Sequence, residues 1–496
     1  MSYFLSIDQG TTSTRAVLFS QTGELISQHQ LAITQYYPCD GWVEHDAEEI
    51  WNLTLTCLKK VFEQSNINRS EIAALGISNQ RETTVIWDRE TGRPLAPAIV
   101  WQDRRTADFC ERLNHDSSLN TDIHRKTGLL LDPYFSATKL ACLLENVEGA
   151  ADAARQGRVA FGTIDSFLIW HLTAGRVHAT DATNAARTLL YNIHKCEWDE
   201  DLLKLFGVPQ SCLPVVKNSA DHFGVCHESL FGVSVPISGV AGDQQAALIG
   251  QACYKPGMVK STYGTGCFMV LNTGDTVVES KRRMLSTIAY QINGKPTYAL
   301  EGSIFIAGAA VTWMRDALKF FPSNHDTQTL ALSVPDNAGV YLVPAFTGLG
   351  APYWDPHARG ALMGLTRDTK IEHIVRAALE AVCYQSRDLL SAMEADSGLR
   401  PSSLRVDGGM VANNWLLQFL SDILNCPINR PSCIESSALG AALLAGLGVG
   451  FYGDLDEIAK NWRSESLFEA QMDEQTRQRL YSGWQNAVSR ITSASF

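Results

Sequence analysis

Two short stretches place glycine and hydroxyl groups at the ends of apolar strands. In the first, "IDQGTTSTRAVLF", residues 7–19, the apolar run "YFLSI" ends on Asp8 and meets Gly10, Thr11, Thr12, Ser13 and Thr14, then Arg15. Gly10 lets the backbone turn sharply and come close to a ligand. Backbone N–H groups in such a turn can form an anion-binding concavity. The hydroxyls of Thr11, Thr12 and Ser13 add donors, and Arg15 adds charge. Asp8 can hold Mg²⁺ through waters, which that ion sheds reluctantly. The stretch has no Gly-Lys-Thr, so it is not the familiar phosphate loop. Taken alone, it reads equally well as a hairpin with a polar tip. The second stretch, "YGTGCF", residues 263–268, has the same form. Together the two could hold one polyphosphate from both sides.

Three further segments carry candidate chemistry. In "LRVDGGMVANNWLLQFLSDIL" a strand meets Gly408-Gly409, where a flat or charged group could approach the backbone. Asn413 and Asn414 follow at the start of a helix, which they could cap, or they could bond a ligand. In "VAGDQQAALIG" Asp243 sits between a strand and a helix. It reads as an N-cap, or as a general base kept ionised by the helix terminus. "SNQRETTVIWD" and "IVWQDRRT" supply Arg81, Glu82, Trp101, Asp103, Arg104 and Arg105. An Arg-Glu pair can grip a polyol, with an aromatic ring on its carbon face. A structural ion-pair patch is the competing reading.

The elements that must position these groups follow a repeating order. "YFLSID", "TRAVLFS" and "LISQHQLAI" read as strands. A helix follows over "DAEEIWNLTLTCLKKVFEQS", with Asp46 as N-cap and Glu49 three residues on. "IAALGIS" is then a fully apolar, buried strand. After Gly257 the order restarts with strands "MVKSTYG", "CFMVLNTG", "STIAYQI" and "PTYALEG", and a helix over "SIFIAGAAVTWMRDALKF". This predicts two related α/β domains, 1–250 and 251–496, with the ligand site in the cleft between them.

Bulk properties narrow the function. A length of 496 residues fits two or three domains. A net charge of −12 argues against general nucleic-acid binding, so positive charge for an anionic substrate must be local. The 12 cysteines form no C-x-x-C pair, which fits neither a zinc site nor a disulfide framework and suggests a reducing cytosol. No signal peptide is expected. The longest apolar run, "ALGAALLAGLGVGF", falls short of the ~20 residues of a membrane span and reads as a packed internal helix.

The motifs together resemble the FGGY carbohydrate kinases. The matching segments are "DQGTTSTRA", "NQRETT", "WQDRRT", "DPYFSATK", "GTIDSFLIWHLT", "GDQQAALIGQ", "YGTGCF", "EGSIFIAGAA", "VPAFTGLGAPYWDPHARGALMGLTRDT" and "RVDGGMVANNW". The resemblance implies an actin-like fold of two ribonuclease-H-like domains around a cleft. It implies a cytoplasmic transferase with ATP and Mg²⁺ as donor and glycerol as acceptor, giving sn-glycerol 3-phosphate. A pentulose or erythritol is the alternative acceptor. A homo-oligomer, dimer or tetramer, is implied as well.

By matching position, Arg81, Glu82, Tyr134, Asp243 and Gln244 would hold glycerol, with Trp101 and Phe268 against its carbons. Asp243 would be the base. Thr11, Thr12, Ser13 and Arg15 would face the phosphates, and Asp8 the metal. Thr265, Gly308, Gly409 and Asn413 would bind the nucleotide. Thr312 stands in that pocket where the family pattern has Gln beside the adenine. Ala182, Ala137 and Cys142 depart from the pattern's Tyr, Gly and Trp, with packing expected to change and chemistry not. At residues 225–237 some members carry a loop for fructose 1,6-bisphosphate and others a phosphorylatable His. This chain has neither motif, so neither control is expected.

Overall fold

The computed structural model describes residues 2–230, 232–355 and 357–492. The first sheet has five strands in the order Ile237–Gly242, Ile72–Asn79, Tyr3–Gln9, Ser13–Ser20, Leu25–Ala32. The first three run parallel, and the last two continue as an antiparallel meander. Tyr3–Gln9 and Ile72–Asn79 are almost wholly buried, as parallel strands covered on both faces must be. The outer strand Leu25–Ala32 has several exposed residues.

The helix Ala47–Ser65 covers one face with Ile50, Cys57, Leu58, Val61 and Phe62 buried. Asp46 caps it as expected, its carboxylate accepting the Glu48 and Glu49 N–H groups at 2.8 and 3.3 Å. Glu49 does not return to the cap. It accepts from the N–H and hydroxyl of Thr34 at 3.2 and 2.8 Å, tying the helix to the chain beyond the edge strand.

The second sheet has seven strands in the order Leu285–Ile292, Lys295–Ile304, Cys267–Gly274, Val259–Tyr263, Leu404–Asp407, Ile428–Pro431, Ser464–Phe468. Its five inner strands repeat the order and directions of the first sheet. This is the doubled ribonuclease-H-like arrangement of an actin-like fold. Lys295–Ile304, rather than the preceding strand, lies beside Cys267–Gly274. The cause is the tight Asn293-Gly294 turn, both residues at positive φ, which folds Leu285–Ile292 back onto the outer edge.

The helix expected over "SIFIAGAAVTWMRDALKF" is shorter, Gly308–Asp316. Ser303 and Ile304 still belong to the strand, and the segment 305–307 turns onto the second elbow: Ala307 N–H donates to the Thr265 carbonyl at 3.0 Å.

The apolar run near the C-terminal end forms the helix Ser436–Gly448, which packs on Ile72–Asn79, Ile237–Gly242 and the helix Asp243–Gly250. A segment late in the chain thus covers the first sheet. The approach is backbone to backbone. A Cβ on Gly440 would lie 1.7 Å from the Ala246 carbonyl oxygen, and one on Gly76 2.0 Å from that of Ala441. Small residues permit this contact, and Leu444 lies fully buried in the apolar cluster beside it; its truncation to Ala should cost about 2–5 kcal/mol. Among the described residues no helix is long and apolar enough to cross a membrane.

Candidate active site

The first elbow joins Tyr3–Gln9 to Ser13–Ser20, with Asp8 opposite Arg15 and Gln9 opposite Thr14. Gly10 N–H closes the turn onto the Ser13 carbonyl at 2.9 Å, and Gln80 Nε2 holds the Gly10 carbonyl at 3.2 Å. Thr11 and Ser13 are half-buried and Thr12 is exposed. Arg15 pairs with Glu435, just ahead of the helix Ser436–Gly448, and lies 4.0 Å from Asp8. Its Nε is buried without a hydrogen-bond partner among the described residues. Burial pushes the Asp8 carboxyl above its ordinary value, and Arg15 opposes the shift.

Trp101 links this elbow to a wall of rings. Its indole N–H donates to Thr11 Oγ1 at 2.8 Å. The ring meets Tyr134 edge-on at 5.5 Å and Phe268 at 6.2 Å. Phe268 belongs to the strand that leaves the second elbow, so Trp101 touches both sides of the cleft.

The charged groups lie beside these rings. Arg81 is 3% exposed and Glu82 1%. Arg81 Nε stands 3.3 Å from Asp243 Oδ1 and 3.7 Å from Glu82 Oε1, and its Nη2 reaches the Tyr134 hydroxyl at 3.3 Å. Asp243 retains about 30% side-chain exposure, so its carboxylate opens to the cleft. Burial raises its carboxyl from the ordinary range, with Arg81 opposing and Glu82 reinforcing. Asp243 is not the N-cap. Gly242 takes that position and Asp243 is the first helical residue, its Oδ1 accepting its neighbour's N–H, that of Gln244, at 2.7 Å. The carboxylate therefore stays available at the helix start. Gln244 accepts from Lys260, which also donates to Thr262 Oγ1 at 2.8 Å.

The second elbow joins Val259–Tyr263 to Cys267–Gly274, with Gly264 N–H bonded to the Gly266 carbonyl at 2.9 Å. Thr265 is exposed at its tip. Gly308 N–H donates to the Gly264 carbonyl at 3.0 Å, which seats the start of the helix Gly308–Asp316 on the elbow, with Thr312 exposed one turn on. Gly408, at φ +91°, packs against this elbow; a Cβ there would lie 2.5 Å from the Tyr263 carbonyl oxygen. A Cβ on Gly409 would meet nothing within 4 Å. Asn413 caps the helix Asn414–Leu424 by accepting the Leu416 N–H at 3.0 Å.

The Arg-rich segment divides in two. Arg81, Glu82 and Trp101 face the cleft. Asp103 instead accepts the Val43 N–H at 2.6 Å and pairs with Arg105, whose guanidinium lies 3.7 Å over Trp42, while Arg104 pairs with Asp132 at 2.8 Å. That half is structural. The sequence chemistry missed Arg187, Lys260 and Glu301, which ring Arg81, Glu82 and Gln244 without solvent exposure. Each is one charge inside an apolar run, as in "MVKSTY" and "TYALEGSIFI", and such a charge is rarely buried without a partner.

Comparison with known proteins gives the family and agrees with the fold. Residues 3–250 match the N-terminal domain of the FGGY family of carbohydrate kinases, and residues 259–449 its C-terminal domain. The chain is 61% identical over 495 residues to the glycerol kinase of Alcanivorax borkumensis, covering 100% of this chain and 99% of that protein. It is 58% identical over 489 residues to the glycerol kinase of Coxiella burnetii, covering 99% and 97%. The crystal structure of Plasmodium falciparum glycerol kinase with ADP has a TM-score of 0.91 to this fold at 38% identity, covering 99% of this chain and 98% of that one.

Proposed function

The chain belongs to the FGGY family of carbohydrate kinases, and from that premise we infer that it phosphorylates glycerol with ATP, giving sn-glycerol 3-phosphate and ADP. One observation carries the site assignment. Asp243 opens to the cleft with Arg81 3.3 Å away, beside a ring wall that is hydrogen-bonded to the phosphate elbow.

Arg81, Glu82, Tyr134 and Gln244 bond the glycerol hydroxyls, and Trp101 and Phe268 pack on its carbons. Asp243 accepts the proton of the attacking hydroxyl. The hydroxyl oxygen bonds to the γ-phosphorus as the bond to the β–γ bridging oxygen breaks, and ADP leaves. Such transfer is mostly positioning and neutralisation of charge on the phosphate oxygens. The N–H groups and hydroxyls of Thr11, Thr12 and Ser13, with Arg15, supply that on one side. Thr265, at the tip of the second elbow, supplies it on the other, and Gly308 borders the nucleotide. Gly409, open to the cleft, leaves room for the nucleotide, which Asn413 and Thr312 border.

Asp8 fits Mg²⁺. Its carboxylate is 15% exposed, sits at the end of a buried strand and lies 4.0 Å from its nearest cation. Among the described residues no cluster of three ligating side chains exists, which suits an ion held by one carboxylate, waters and substrate phosphates. When bound, the ion neutralises charge on the β- and γ-phosphate oxygens.

All twelve cysteines are unpaired thiols, which supports a reducing cytoplasm as the place of work. A homo-oligomer is proposed on family grounds. The deciding assay is coupled ADP production with and without glycerol, alongside dihydroxyacetone, xylulose and ribulose. Glycerol should give the highest kcat/KM; a pentulose ahead of it overturns the acceptor assignment.

A further inference from the structure

Glu301 is the group on which the cations of the acceptor site converge. Arg81 directs both terminal nitrogens at it, Nη1 at Oε2 and Nη2 at Oε1 at 3.0 Å. Arg187 Nη2 reaches the same Oε1 at 3.0 Å, while Arg187 Nε donates to Glu82 at 2.7 Å. The side chains of Glu301 and Arg187 have no exposed surface. Arg187 also lies behind the rings of Tyr134 and Phe135, its guanidinium carbon 5.6 and 5.3 Å from their centroids.

The partners come from opposite halves. Arg81, Glu82 and Arg187 precede residue 250, whereas Glu301 lies in the strand Lys295–Ile304 of the second sheet. A guanidinium is a planar fork, so fixing one edge decides where the other points. With its terminal nitrogens on Glu301, Arg81 has only its Nε edge for Asp243 and Glu82. Lacking Glu301, it could turn its terminal pair onto Asp243. That would lock the base in a bidentate pair and withdraw Arg81 from the acceptor. Buried pairs of this kind contribute little net stability, because desolvation offsets the attraction, but they fix geometry. Burial would raise the Glu301 carboxyl, yet Arg187 and Arg81 hold it down at about 2, so it remains a carboxylate at every working pH.

We propose that Glu301 is the positioning residue of the acceptor site, clamping Arg81 and Arg187 from the opposite sheet so that Arg81 presents one edge to glycerol and to Asp243. The inference rests on the acceptor assignment above. Its test is steady-state kinetics of Glu301→Gln against each substrate, with thermal unfolding alongside. Loss of one charge-assisted clamp should raise the glycerol KM roughly tenfold to a hundredfold and leave the ATP KM within about twofold. A purely structural role would lower Tm and the active fraction, hence kcat, with the glycerol KM unchanged; that result overturns the proposal. Should the glutamine variant not fold, Glu301→Asp keeps the charge one methylene shorter. It should raise the glycerol KM several-fold, and an unaltered value there overturns the proposal equally. A wild-type enzyme without glycerol-dependent ADP formation would overturn the acceptor assignment and this inference together. An active wild type with an unmoved variant KM overturns only the inference.

Discussion

Trp101 donates its indole N–H to Thr11 Oγ1 at 2.8 Å, so the ring assigned to the acceptor carbons also holds the tip of the elbow assigned to the phosphates. The proposed acceptor and donor sites therefore share one side chain. Trp101→Phe keeps a ring but deletes the donor. A neutral hydrogen bond contributes about 0.5–1.5 kcal/mol net, so KM for glycerol and for ATP should both rise roughly two- to tenfold. Thr11→Val should reproduce the ATP effect, and the double variant should be less than additive because both remove the same bond. Strict additivity in a double-mutant cycle would show that the bond carries no coupling.

Asp243→Asn should lower kcat about 10²–10⁴-fold, the usual contribution of a general base, while Tm changes little. The pH profile gives a second reading. Burial raises the Asp243 carboxyl and Arg81 only opposes that, so the group ionises above the value of about 3.9 of a free aspartate. The base must be ionised to act. Turnover should then fall as pH drops through this raised value, and the acidic limb should vanish in Asp243→Asn. An acidic limb that persists unchanged in Asp243→Asn would contradict the assignment.

The site was legible where chemistry coincides with backbone punctuation. Gly10 and Gly264 punctuate the two elbows, with Thr11 and Thr265 beside them, and Gly242 precedes Asp243, so spacing alone located these turns. The doubled strand order was legible for the same reason, since short apolar runs alternate with turn residues. Two kinds of fact were not. The contact of Ser436–Gly448 with the first sheet depends on small residues far apart in the chain, Gly76 with Ala441 and Gly440 with Ala246, and no local pattern encodes that pairing. The clamp of Glu301 on Arg81 and Arg187 is likewise long-range. Glu301 and Arg187 are single charges with no charged neighbour in sequence, and only the fold shows that Glu301 meets both Arg81 and Arg187. Local propensity also overran the start of the helix Gly308–Asp316, because Ser303 and Ile304 end the preceding strand and residues 305–307 turn onto the second elbow.

Gly408 and Gly409 are adjacent but separable. Gly408 has φ +91°, and a Cβ there would sit 2.5 Å from the Tyr263 carbonyl oxygen, whereas a Cβ on Gly409 meets nothing within 4 Å. Gly408→Ala combines left-handed strain of about 1–2 kcal/mol with a backbone clash, so Tm should fall by several degrees. Gly409→Ala should leave Tm within about a degree and raise the ATP KM, because the added methyl enters space assigned to the nucleotide. Differential scanning fluorimetry with ATP titrations of both variants separates the two roles. A Gly409→Ala enzyme with an unchanged ATP KM would move the nucleotide elsewhere.

Asp8→Asn tests the metal assignment with little steric change. Burial raises the Asp8 carboxyl in the folded state, so at neutral pH its ionised form costs stability and replacement by a neutral amide should leave Tm unchanged or slightly higher. Arg15 keeps its pairing with Glu435, so the elbow should hold its shape. Loss of the carboxylate should nevertheless cut turnover and raise the Mg²⁺ concentration for half-maximal velocity about 10–100-fold, the range seen when an outer-shell metal partner is removed. The measurement is a Mg²⁺ titration of velocity at fixed ATP, paired with a thermal scan. The expected signature is a stable protein that needs more metal. A variant with normal metal demand but reduced kcat would place Asp8 among the groups that shape the elbow, with the ion held by the phosphates alone.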